Sequence, residues 1–546
     1  MTSNLLWLVA LGPLALIGAC LIPTAVANLN HRPLNRFAQT MSFLSFIGAL
    51  ATVCLVTLHS SLYTPLAGTR GIGFSLYLDT ISATMFVLVS FIGMVVVAFS
   101  QNYLAGDPGH GRFMKMISMT LGSVLLLIVA GNFFQFLAAW VSTSLALHGL
   151  LTFYSERPSA ILAARKKWVV SRLGDLCILG AIVLLYSQLG SLDYAVIFKA
   201  ARETHNTSLI ASPFFLVAPL LALAALLKSA QFPIHGWLLE VMETPTPVSA
   251  LLHAGVINAG GFLILRFSSL VSLSPFALNM LLIVGAVTAI FGSLVMLTQT
   301  SVKVSLAYST VAQMGFMMLE FGLGMFSAAM LHIIAHSLYK AHAFLSSGET
   351  VARAPSAKTH TKSASLKGAF LTSSLVVFTA LLTVTIVGVA FDSTLFIKPG
   401  SATLSYIFVL GLVTLSSTLF DGRLGLMLVV RFLARLVGIT LLFFGVQYFA
   451  EALFAGHLAH ESSQFHSIDI FLRVFIIFVF SAITILQSVL SRTYGRELWI
   501  KLYVHLANGF YINTIGNSFA IRFWPSAAPK STVPQYIPTY PRRGDS

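Results

Sequence analysis

Three titratable side chains, His332, His336 and Lys340, recur at i, i+4 and i+8 within one apolar run. In a helix that spacing places all three on one face, stacked over about 12 Å of rise. Imidazoles titrate near neutral pH, and desolvation lets a buried lysine release its proton. The pattern is therefore that of a proton wire. A second constellation lies at residues 226–237, Leu-Leu-Lys-Ser-Ala-Gln-Phe-Pro-Ile-His-Gly-Trp. Here an apolar run meets Lys228, and Pro233 removes a backbone donor and breaks the helix. A broken helix carrying a lysine is tolerated in a membrane only within protein or beside water. Such an ammonium can hold and release a proton.

Pro245 and Pro247 then open a further helix, whose face carries His253, with Asn258, Gly260 and Gly261 beyond. A lone histidine in an apolar helix is usually a packing residue; beside Lys228 it becomes a relay candidate. Lys303 opens a later apolar run that also contains Glu320. His148 and Glu320 are lone polar groups for which function and packing are both open. Arg172 and Asp175, at i and i+3, form a local ion pair most simply. Arg431 and Arg435, one turn apart, suit lipid headgroups or bracing of the bundle. His457, His460, Glu461 and His466 lack the spacing of a metal site and suit a solvated loop. Cys20, Cys54 and Cys177 stand singly in apolar runs, which fits neither disulfide framework nor metal site and leaves small buried hydrophobes. No nucleotide loop, nucleophile elbow or zinc signature occurs, so the chain does not look like an enzyme and no cofactor is expected in it.

The elements that must position these groups follow from composition. The 546 residues are 57% hydrophobic and 9% charged, where soluble domains carry about a quarter charged residues. With about 20 apolar residues per crossing, fifteen runs could span a bilayer, at residues 5–22, 40–58, 81–99, 116–130, 133–153, 169–189, 212–227, 247–267, 276–297, 302–323, 327–346, 368–391, 403–419, 424–449 and 469–490. The first lacks a basic flank and a cleavage site, so it reads as a span rather than a signal peptide. After 490 the chain reads as a short amphipathic helix, then a Pro-rich polar tail.

Alternating the loops from an outside N-terminus sends twenty basic residues to one side and five to the other. Arg165, Lys166 and Lys167 fall in the larger set, and Arg266 in the smaller. By the positive-inside rule the larger set and the C-terminus are cytoplasmic. The net charge of +15 is thereby topological and calls for no nucleic acid. Seven basic residues remain within or at the ends of spans, Arg172, Lys228, Lys303, Lys340, Arg431, Arg435 and Arg473. The deeper ones should face the bundle interior or a hydrated path.

At these residues the chain resembles a known family. Lys228-Ser-Ala-Gln-Phe-Pro and residues 244–253, Thr-Pro-Thr-Pro-Val-Ser-Ala-Leu-Leu-His, are similar to the signature of the antiporter-like subunits of respiratory complex I and of multisubunit cation/proton antiporters. Residues 306–310, Gln313 to Gly315, and the His332, His336, Lys340 set match the same family, and the similarity runs from about 125 to 348. The resemblance implies an all-α polytopic membrane protein of about fifteen helices with two inverted five-helix repeats and broken helices. It divides the chain into 1–115, N-terminal helices; 116–267 and 268–420, the two repeats; 421–490, C-terminal helices; and 491–546, a cytoplasmic segment and tail. It implies an ion path for H⁺ or Na⁺ with Lys228 as the switching lysine and His253, Lys303, His332 and His336 as connecting groups; the reading of the residues adds Lys340, Asp175, His148, Glu320 and Asp392 as candidates.

Departures narrow the choice. The family's acid after the helix-five Trp is replaced here by Val141, and no second-half counterpart of Lys228 is evident, although Asp392 and Lys398 lie nearby. The loss of that acid leaves Asp175, or failing it Glu243, as the expected counter-charge of Lys228. Residues 165–175, 237–243 and 502–510 look instead like the DabB family, the membrane subunits of two-component inorganic carbon accumulation systems. Their partner, DabA, is a cytoplasmic zinc protein of β-carbonic anhydrase type. The resemblance implies a bacterial inner-membrane subunit whose cation flow drives CO2 hydration to bicarbonate by that partner. The alternatives are a subunit of a cation/proton antiporter or complex I-like pump, and an anchor that only recruits its partner.

Overall fold

Local sequence signals start and stop the helices of the computed structural model, which describes residues 6–204, 214–241, 244–348, 378–379, 382–390, 399–417, 426–459, 467–490 and 497–524. In chain order the helices used below are α1 (Leu8–Gly18), α2 (His31–His59), α3 (Thr80–Tyr103), α4 (His110–Ile128), α5 (Phe133–Leu151) and α6 (Pro158–Leu189). Then come α7 (Tyr194–Thr204), α8 (Phe214–Lys228), α9 (Gly236–Glu240), α10 (Thr246–Ala254), α11 (Ala259–Arg266), α12 (Pro275–Met296), α13 (Val302–Gly322) and α14 (Phe326–Leu345). The last are α15 (Pro399–Ser417), α16 (Leu426–Phe454), α17 (Ser467–Leu490), α18 (Glu497–Ala507) and α19 (Ile512–Phe523).

Asp79 caps α3, accepting from Ser82 N at 2.8 Å while Ser82 Oγ accepts from Asp79 N at 2.7 Å. Both orphan donors are satisfied reciprocally. Asn132 caps α5 by accepting from Gln135 N at 2.8 Å, and Pro158 begins α6 where a helix needs no N–H donor. Between α2 and α3 the chain forms two short antiparallel pairs, β1 (Leu62–Tyr63) with β4 (Tyr77–Leu78), and β2 (Ala67–Thr69) with β3 (Ile72–Phe74). The apolar periodicity did not signal them, because strands this short carry no period.

Helices occupy the expected runs at least in part, and among the described residues eight are long and apolar enough to cross a membrane, with two shorter apolar helices besides. α13 and α14 are not among the eight; their titratable and polar residues lower the hydropathy. Helix starts differ most from expectation at α2 and α6, which begin nine and eleven residues early, at His31 and Pro158. Arg165, Lys166 and Lys167 are therefore not loop residues; they lie inside α6. Residues 512–523, expected in a loose or partner-bound tail, form a helix, α19. The cysteines are less buried than expected: Cys54 is exposed, and Cys20 and Cys177 are half-buried.

Small residues bring the central helices together. A Cβ on Gly315 would come within 2.4 Å of Ala289 N, and one on Gly285 within 2.4 Å of Leu319 N. Only glycine permits so close an approach of α12 to α13. Gly260 on α11 likewise sits against Ala225 O and Ser229 Oγ of α8, where a Cβ would meet atoms at 2.6 and 2.3 Å. These approaches wrap the core around the two interrupted helices, α8–α9 and α10–α11.

Candidate functional site

Lys228 is the last residue of α8. Beyond it the chain leaves the helix through Ala230, at a positive φ of 49°, and Pro233, and resumes as α9. The side chain is 8% exposed. Its Nζ lies 4.3 Å from the centroid of the Trp140 ring, a cation–π contact, and has no hydrogen-bond acceptor among the described residues. Trp140 Nε1 donates to Asp175 Oδ1 at 3.0 Å, and Asp175 Oδ2 lies 2.8 Å from Arg172 Nη2. The Asp175 charge acts on Lys228, but Asp175 forms its bonds with Trp140 and Arg172. Val141 adds no charge. Of the two expected counter-charges, Asp175 is thus held beside Lys228 by the indole, and Glu243 lies outside the described residues.

A second cluster forms where α10, α13 and α14 meet. His253 is fully buried, stacked on Phe344 with ring centroids 4.4 Å apart. Its Nδ1 lies 3.0 Å from Thr310 Oγ1. Thr310 donates its single proton to Leu306 O at 3.1 Å, so it accepts from His253 Nδ1–H. The neutral ring then presents Nε2 as a buried, unpartnered acceptor. Lys340, also fully buried, donates to the same Leu306 carbonyl at 3.0 Å. His336 lies within electrostatic reach of His253, His332 and Lys340, and its Nε2 is unpartnered. Continuing along α14, the His332 and His336 ring centroids are 6.1 Å apart, and His332 Nδ1 pairs with Glu320 Oε2 at 2.9 Å. Asn258, past the α10 break, donates to Ser337 Oγ at 2.8 Å. Lys303 reaches Thr246 Oγ1 at 3.4 Å, the hydroxyl that also meets Tyr103.

The expected residues therefore fall in two groups rather than one line. Lys228, Asp175 and His148 belong to the first, His148 through its electrostatic contact with Lys167. His253, Lys340, His336, His332 and Glu320 form the second, with Lys303 at its edge. Glu320, a lone acid in the sequence, is not alone: it pairs with His332. Asp392 and Lys398 lie outside the described residues, as do His460, Glu461 and His466, while His457 faces Ser60 O at 3.3 Å. Arg431 and Arg435 are exposed on α16. Among the described residues no group of three metal-ligating side chains comes together.

Three features escaped the sequence. Lys167 is 3% exposed and lines a void of ≈10 Å³ together with Lys228, Ser171 and Trp237. Its signal was present, because Lys167 lies on the stripe of Ala160, Ala163, Ala164, Ser171 and Gly174 that α6 buries. Arg266, assigned to an outer loop, is buried and bonds Asp79 Oδ2 at 2.8 Å, its guanidinium 4.9 Å from the Tyr77 ring. Lys166 bonds Glu240 Oε1 at 2.7 Å and Asn513 Oδ1 at 2.9 Å and also reaches Asn517, so α19 is tied to α6 and α9.

Residues 130–425 match the transmembrane family of NADH:quinone oxidoreductases and Mrp antiporters, and 66–114 match the chain 5 N-terminus of complex I. The chain is 38% identical over 473 residues to a probable inorganic carbon transporter subunit, DabB2, of Halothiobacillus neapolitanus, covering 85% of this chain and 84% of that one. The chain belongs to the DabB family of proton-antiporter-type membrane subunits. A probable DabB of Hydrogenovibrio crunogenus is 47% identical over 271 residues, which span about half of each protein, 50% and 52%. The DabB fold is also that of larger assemblies. The Mrp complex of Dietzia sp. DQ12-45-1b superposes with a TM-score of 0.57 at 22% identity, over 94% of this chain and 60% of that one. By its relatives the chain is a membrane subunit of transporter type.

Proposed function

We propose that the chain is the ion-conducting subunit of an inorganic carbon accumulation complex in a bacterial inner membrane, and that the ion is the proton. One observation carries this reading: buried Lys and His nitrogens gather at the breaks of two helices and on the helix beside them, Lys228 at the end of α8, His253 on α10, and His336 and Lys340 on α14. Ammonium and imidazole groups accept and release protons; a hard cation such as Na⁺ requires clustered oxygen ligands. Lys228 is the switching group, His253, Lys303, His332, His336 and Lys340 are relay groups, and Asp175, His148 and Glu320 tune them. The excess of basic residues on one side supports a cytoplasmic C-terminus and an outside N-terminus.

Proton flow through this chain drives hydration of CO2 to bicarbonate by a DabA-like cytoplasmic subunit, which holds zinc and does the chemistry; this chain contributes no cofactor. The names of its relatives support inorganic carbon as the substrate class. Affinity purification of the full chain from native membranes tests the proposal. A stoichiometric zinc-containing partner of carbonic anhydrase type is the expected result. A set of small antiporter subunits in its place would make the chain a cation/proton exchanger.

A further inference from the structure

Lys167 sits one turn before Ser171 and two before Asp175 on α6. Its Nζ donates to Ser144 O at 2.6 Å and lies 3.0 Å from Ser144 Oγ on α5. An ammonium has three donors, so this anchor leaves one N–H uncommitted. Lys228 on α8 faces the same small void, with its Nζ unpartnered, and so does Trp237, whose Nε1 is buried and unpartnered. The void's volume, ≈10 Å³, is room for about one water, and two to four polar neighbours are what a buried water needs. The void also touches Leu252 and Val256, on either side of His253 and the α10 break. On the other flank, His148 of α5 is half-buried, its Nδ1 unpartnered, and it interacts electrostatically with Lys167.

We propose that Lys167 is a proton-relay residue that exchanges a proton with Lys228 through one water in this void, with His148 as its outward contact. The inference rests on the conduction reading and adds a lysine to it. The transfer balances simply. The Lys167 ammonium gives a proton to the water oxygen as the water gives one of its own to the neutral Lys228 amine. One proton has moved, and Lys167 is then neutral and can be recharged from the His148 imidazolium.

The charges around the void favour such sharing. Lys167, Lys228 and Arg172 face one carboxylate, Asp175, already held by Arg172. Two like charges over one desolvated void disfavour double protonation, which favours passing a single proton between the lysines. Val141 matters here, because an acid beside Trp140 would let both lysines stay charged and would end the exchange.

Proton uptake by right-side-out membrane vesicles carrying the full chain with its partner, read with an internal pH-sensitive dye per unit of assembled protein, tests the relay. Lys167→Arg keeps the charge and the donors to Ser144 but cannot release a proton. Lys167→Gln keeps a donor without a titratable group, and Lys167→His restores titration. The expected result is loss of uptake by roughly 10²-fold in the Arg and Gln variants, the size of a lost proton-transfer group, with part of the rate kept by His. A wild-type rate in Lys167→Arg or Lys167→Gln would overturn the relay, as would equal loss in all three variants, which would make Lys167 a packing residue. No uptake by the wild-type complex would remove the conduction reading itself, and the relay with it.

Discussion

Lys228 Nζ stands 4.3 Å from the centre of the Trp140 ring, and among the described residues no carboxylate pairs with it directly. The aromatic face attracts the ammonium without fixing it in a bidentate pair, while Asp175, held at the far edge of the same indole, supplies the charge. A lysine bonded directly to an acid would be pinned; one resting on a ring can exchange its proton and move.

The indole link makes separable predictions for Trp140 and Asp175. Trp140→Phe keeps the face but loses the N–H to Asp175, and Asp175→Asn keeps an acceptor for that N–H but removes the charge. Proton uptake should fall partway in the first and by roughly 10²-fold in the second. Wild-type uptake by Asp175→Asn would show that the carboxylate does not serve Lys228.

His332 and His336 act in series if they belong to one wire. The double substitution to Ala should then be no worse than the more harmful single one, since groups acting as a unit are strongly non-additive. Additive losses, measured as uptake rates of both singles and the double, would assign them separate structural roles.

The Asp79–Arg266 pair joins the start of α3 to the end of α11, with both side chains almost wholly buried. Breaking a buried pair from one side costs about 3–5 kcal/mol. Arg266→Met alone should lower the detergent-solubilised Tm, and an Asp79→Asn, Arg266→Met double variant, which keeps a side-chain cap on α3, should recover most of the loss. No recovery would mean that the pair does more than neutralise itself.

Glu240 and Lys166 hold the C-terminal helix α19 against the segment that follows Lys228, with Asn513 Nδ2 also donating to Glu240 at 3.1 Å. Glu240→Ala should raise amide hydrogen exchange across residues 512–523 while leaving α5 and α12 unchanged. Unaltered protection would show that apolar contacts alone seat α19.

Much of this arrangement was legible in the sequence, and the failures have physical causes. The interruption between α8 and α9 follows from Lys228 with Pro233, and the α14 face from the i, i+4, i+8 spacing of His332, His336 and Lys340. Lys167 was read as loop because it stands in a run of three cations before an apolar stretch. The helix in fact begins eleven residues before that stretch, and the alanines at 160, 163 and 164 bury its small face. Arg266 was read as a loop charge because nothing local marks its partner, Asp79, which is 187 positions away. The break after His253, at Gly255 with a 3₁₀ turn to Asn258, lies inside an uninterrupted apolar pattern and leaves no periodic trace.

The central claim is that protons cross through Lys228, and bicarbonate accumulation in cells carrying Lys228→Ala, with the complex purified in parallel, tests it most directly. The ammonium makes no hydrogen bond to another side chain or backbone group among the described residues, so the complex should assemble at normal yield. Accumulation should disappear. Wild-type accumulation by an assembled Lys228→Ala complex would contradict the account.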